Sequence, residues 1–170
     1  LMQELAYDSL LKRSRVQYHL DIATALVERF PELVALHPEL IAHHFTEAGL
    51  AERAIRYWLK AGLRSRERSA EVEAVGHLSR GVGLLATRPE SPKRDGEELE
   101  LLGPLGTAYI ASRGYAAPEV GPVFRRAREL CERIGQPEQL FALMLGIWEW
   151  HTVRADLRLC VDLAAEGMEF

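Results

Sequence analysis

Apolar and polar positions along this chain alternate at helical spacing almost from end to end. Met2, Leu5, Ala6, Ser9 and Leu10 share one face of a short segment ending near Lys12. After Arg13-Ser14-Arg15 a stronger helix follows, with Val16, His19, Leu20, Ala23, Leu26, Val27 and Phe30 in one stripe. Pro31 ends it, because the ring pushes Phe30 away from helical geometry. Residues 31–37 read as a linker or a single turn, and Pro38 suits the first position of the next helix.

The stretch from Pro38 to Gly62 predicts two helices folded on each other through a break at Gly49. Ile41, Phe45 and Ala48 recur before the glycine, and Ala54, Ile55, Trp58 and Ala61 after it. Small residues (Ala42, Ala54, Ala61) beside large ones (Phe45, Trp58) allow a close helix crossing, with Trp58 buried between the first two hairpins. Beyond Arg68, Ser69 is placed to cap a helix carrying Val72, Val75, Leu78, Val82 and Leu85. Thr87 to Gly96 reads as an exposed loop, and Glu97 to Ser112 as a helix kinked at Gly103-Pro104. Val120, Val123, Phe124, Ala127, Leu130, Cys131 and Ile134 form the clearest stripe, closed by Gly135. Pro137 to Thr152 is apolar nearly all round, which predicts the most buried helix, and Asp156 to Phe170 closes the count at nine helices with no strand.

Composition narrows the function classes. A net charge of −4, from 21 basic and 25 acidic residues, provides no general attraction to nucleic acid or membrane. Cys131 and Cys160 stand alone on separate helices, which argues against a disulfide framework and for a reducing, cytoplasmic setting. No signal peptide or membrane-spanning apolar run is present in the sequence.

The hairpin pattern resembles the tetratricopeptide (TPR) repeat. Ala42, Phe45, Gly49, Ala54, Trp58 and Ala61 follow its spacing, and Leu105-Gly106-Thr107-Ala108-Tyr109 matches its Leu-Gly-x-x-Tyr core. Gly62, Gly106 and Gly146 fall 44 and 40 residues apart, longer than the usual repeat of about 34. Ala6-Tyr7-Asp8-Ser9-Leu10-Leu11, the Pro38 to Gly62 stretch, and Gly114-Tyr115-Ala116-Ala117-Pro118-Glu119-Val120 resemble bacterial multidomain signalling proteins. In those proteins an adenylate/guanylate cyclase-like domain and a regulatory ATPase module precede a TPR-like array. The resemblance implies that residues 1–30 are the helical tail of a preceding domain, 31–37 a linker, and 38–170 the start of the repeats. No phosphate-loop motif of the Gly-x-x-x-x-Gly-Lys-Ser/Thr type occurs in this chain, so any nucleotide chemistry would belong elsewhere in such a protein.

Candidate chemistry is sparse. His43 and Glu47 share a helical face, but His44 points about 100° away and no further ligand completes a zinc set. Arg56, Lys60, Arg64 and Arg68 form a basic row opposite Trp58, expected to be solvated or to face an acidic partner or neighbouring domain. Trp148 is expected in the core, while Trp150 and Tyr109 are placed as aromatic anchors on a concave face. That face would be lined by the helices near Leu40–Ala48, Leu99–Ala111 and Leu140–His151, with the basic row on an outer surface. Glu97-Glu98 is read as a helix-opening acidic pair.

These readings combine into an all-α, right-handed stack of TPR-like hairpins that acts as a non-catalytic protein-interaction scaffold. Expected partners are proteins or neighbouring domains of the same chain, with no nucleic acid, membrane, cofactor or metal, and no oligomeric state is specified. Tyr109, Trp150, Arg56, Lys60 and Arg64 are the partner-binding candidates. Two alternatives remain: the sensor arm of an ATPase-type transcription regulator, and an enzyme whose site lies in the concave groove.

Overall fold

A computed structural model of the chain describes residues 12–135, 147–156, 158, 160–162 and 165. The expected segment from Met2 to Lys12 lies outside the described residues except for Lys12, as do most of the expected helix from Pro137 to Thr152, including Gly146, and most of the closing one from Asp156 to Phe170. Every regular element among the described residues is helical. In chain order they are α1 (Lys12–Arg29), α2 (Pro31–Leu36), α3 (Pro38–Glu47), α4 (Ala51–Glu67), α5 (Glu71–Ala86), α6 (Pro92–Arg113) and α7 (Val120–Ile134), with further helical residues at 147–153 and 160–162.

The chain separates into two compact units, one up to Ala61 and the other from Gly62 onward. In the first, α1 packs on α3 with the short α2 between them. Residues 12–29 therefore share a unit with the hairpin that follows. The core here is Ala23, Ile41, Ala42, Phe45, Ala54, Ile55 and Trp58. The α1 stripe is only partly buried, since Val16, Val27 and Phe30 are exposed. Gly49 turns α3 into α4 with φ +73°, donating its N–H to Thr46 O at 2.9 Å while Leu50 N–H reaches back to Phe45 O. This is the paired closure of a helix by a left-handed residue, the geometry glycine adopts most readily.

The same closure recurs where the sequence hides it. Ser69, expected to open a helix, instead ends α4 with φ 59°. Its N–H bonds Arg66 O at 2.8 Å, and Ala70 N–H bonds Ser65 O at 2.8 Å. Ala70 then caps α5 without a side-chain hydrogen bond. Ala155 repeats the motif with φ 60°, through Ala155 N–H to Thr152 O and Asp156 N–H to His151 O.

In the second unit, glycines admit large side chains. A Cβ on Gly62 would lie 2.4 Å from Leu78 Cγ, and one on Gly106 would lie 2.8 Å from the Phe124 ring. These close approaches bring the end of α4 onto α5 and α6 onto α7. Leu78, Leu101, Val120, Leu130 and Cys131 fill the core, whereas Val72, expected in the α5 stripe, is exposed. The loop expected to last until Gly96 is shorter. Ser91 Oγ accepts from Arg94 N–H at 3.2 Å and Pro92 occupies the first helical turn, so α6 begins there and runs through Pro104 to Arg113.

Candidate basic groove and side-chain clusters

The basic row of α4 divides by environment. Arg56 and Lys60 are exposed, and the Arg56 guanidinium donates to Glu52 at 2.9 Å. Arg68 is exposed as expected. Arg64 departs from the row, being half-buried with an Nε that has no hydrogen-bond partner. Helical periodicity places all four on one side, but the packing around the last turns of α4 encloses only part of that side.

Arg56 and Lys60 border a cavity of about 350 Å³ in the first unit. Its floor is aromatic: the buried Phe45 ring on α3 and the half-buried Tyr57 ring on α4, centroids 5.6 Å apart. Thr24, Val27 and Glu28 of α1 form the opposite wall. Arg53 completes the cationic rim and lies 5.4 Å from the Phe45 centroid, while Lys60 Nζ lies 5.0 Å from the Tyr57 centroid. Arg53 and Tyr57 were missed by the sequence reading. Their signal was the i, i+3, i+4 and i+7 spacing of Arg53, Arg56, Tyr57 and Lys60, which puts a ring within the basic face.

The aromatic candidates exchange places. Trp150 is 8% exposed, its Nε1–H donates to Ala117 O at 2.9 Å, and its ring lies where a Gly121 Cβ would come within 2.8 Å. Arg125 and Arg154 cover the ring, with their guanidinium carbons 5.4 and 4.9 Å from its centroid. Trp150 is thus a core residue, and Trp148, expected in the core, is the exposed one. Helical phase separates the two rings by about 200°, and it is the Trp150 side that packs against Gly121. Tyr109 is half-buried beneath the Arg113 guanidinium, 5.3 Å from its ring centre.

His43, His44 and Glu47 acquire a neighbour that sequence distance concealed. His19, 8% exposed on α1, places Nδ1 2.8 Å from His44 Nδ1 on α3, and its ring centroid is 5.7 Å from that of His43. Burial lowers the His19 and His44 pKa values below 6.5, with the charge of His43 adding to the effect and Glu47 opposing it. Among the described residues no group of three or more His, Cys, Asp or Glu side chains is arranged to hold a metal ion.

Two further polar clusters are held by structural partners. Glu98, read as part of a helix-opening pair, lies well inside α6 and is buried. It accepts from Arg126 Nε at 2.8 Å and Nη2 at 3.1 Å. Buried Asp95 accepts from Arg133 at 2.9 Å. Each carboxylate accepts hydrogen bonds from a guanidinium on the neighbouring helix, so these acids tie α6 to α7. His151 and Asp156 meet at 3.2 Å across the Ala155 turn, while the Cys160 sulfur lies 3.3 Å from Thr152 Oγ1. Burial raises the Cys131 thiol pKa, with Glu132 adding to it, which disfavours the thiolate.

No described helix is long and apolar enough to cross a membrane. No protein-family model matches the chain, and no solved structure matches it. Over 168 residues the chain is 27% identical to an uncharacterized protein of Rhizobium meliloti (strain 1021). The match covers 98% of this chain but only 16% of that protein, so the chain corresponds to a small part of a much longer relative.

Proposed function

We propose that this chain is a non-catalytic helical-repeat region, TPR-like in its stacking, that mediates protein–protein or interdomain association within a larger regulatory signalling protein. One observation carries the reading. Gly62 receives Leu78 and Gly106 receives Phe124, the same small-to-large helix contact, with the two glycines 44 residues apart. A helical pair that meets its neighbour this way buries its apolar face by repetition, and stacked pairs offer a long surface for partners. The length of the Rhizobium meliloti relative supports a setting in which most of the protein lies outside this segment.

Cross-linking with mass spectrometry on the full-length protein tests the reading. Lys60, exposed on α4, is expected to cross-link to residues outside this chain. Cross-links from Lys60 confined to residues 1–170 would remove the interdomain reading. The charge-reversal variant best suited to the same question is Arg56→Glu with Lys60→Glu. Arg64 is unsuitable because its half-buried guanidinium couples the charge change to folding.

A further inference from the structure

We propose that the cavity formed by α1, α3 and α4 is a docking site for an acidic protein segment that inserts one apolar side chain between its carboxylates. This rests on the interaction reading above and names the chemistry of the partner. Arg53, Arg56 and Lys60 form the rim and Glu28 is the acid facing them, so the lining favours an anion although the whole chain carries a net charge of −4. The three cations occupy positions i, i+3 and i+7 of one helix and therefore span about 10 Å at roughly 1.5 Å per residue. A short run of acidic side chains matches that span.

The cations are held in place by contacts that are easily exchanged. Arg56 is engaged with Glu52 in an exposed pair, whose side chains are 65% and 45% accessible. Such a pair contributes little and yields readily to a better-placed carboxylate. Arg53 and Lys60 rest over aromatic rings, which positions their charges without neutralising them. Beneath the rim, Val27, Phe45 and Tyr57 give the cavity an apolar interior. Its volume of about 350 Å³ lies at the small end of ligand pockets, suited to one inserted side chain more than to an extended organic ligand. A nucleic-acid strand fits less well, because the Glu28 carboxylate faces the rim and would repel its phosphates.

The test is fluorescence anisotropy with the whole chain and a labelled peptide of glutamates around one central leucine. Saturable binding at low salt is expected, weakening as salt rises. Arg56→Glu with Lys60→Glu should weaken it about tenfold or more, with an unchanged melting temperature because both side chains are exposed. Val27→Glu places an acid in the wall without touching the cations and should weaken it in the same direction. Replacing the leucine by glycine should cost several-fold. Absence of binding, equal binding of a thymidine oligonucleotide, or indifference to both variants would overturn the proposal. Lys60 cross-links that persist in the full-length protein while the peptide fails would overturn this occupant alone. Peptide binding without such cross-links would support the site and remove the interdomain reading.

Discussion

His19 Nδ1 and His44 Nδ1 face each other at 2.8 Å across the packing of α1 on α3. One nitrogen must donate and the other accept, so the contact tolerates one added proton but not two. Both pKa values are lowered, first by burial, so the folded state binds these protons less readily than the unfolded chain. This contribution to stability is fully present above about pH 6.5 and falls as pH drops through the lowered folded values. Denaturant midpoints should therefore decrease between pH 7.5 and 5.5. The decrease should be smaller in His44→Gln, and an equal one would show that the pair does not sense pH.

Trp58 is 3% exposed and its Nε1–H donates to Thr46 Oγ1 at 3.0 Å, which in turn donates to Ala42 O at 2.7 Å. Trp58→Ala is expected to cost about 3–5 kcal/mol by thermal or chemical denaturation. Ala54 is completely buried on the same helix, and Ala54→Leu should cost about 1–3 kcal/mol by overpacking. An unchanged melting temperature in either variant would contradict this packing.

Ser69 holds a left-handed backbone at φ 59° in the position that Gly49 occupies one turn motif earlier. Ser69→Gly should raise stability by roughly 0.5–1 kcal/mol, because the strain of a β-carbon in that region disappears. Ser69→Val should lower it, since a branched side chain tolerates that geometry least. Differential scanning calorimetry of the pair decides the sign.

The Glu98–Arg126 contact joins α6 to α7 through two hydrogen bonds to a buried carboxylate. Arg126→Ala should destabilise by about 3 kcal/mol, toward the low end for a broken buried pair because the arginine remains about a third accessible. Replacing both partners, with Glu98→Gln alongside Arg126→Ala, should recover part of the loss. Strict additivity in that double-mutant cycle would show that the two side chains do not act together.

The sequence by itself determined the main helices among the described residues, because period and punctuation are local. Pro38 opens α3, Gly49 closes it, and the stripe through Phe124, Ala127 and Cys131 names the buried face of α7. It also placed Arg56 and Lys60 on the solvated side of α4, since helical phase alone puts them opposite Trp58. Tertiary structure decided the rest. His19 reaches His44 across 25 residues, a contact that no spacing within one helix contains. Trp150 is buried against Gly121 while Trp148 is exposed, a choice that helical phase within one helix leaves open. Arg56 and Lys60, with Arg53, became the rim of a cavity only when α1 supplied Thr24, Val27 and Glu28 as its far wall. Periodicity reports which way a side chain points from its own helix. What it meets there depends on the elements that pack beside it.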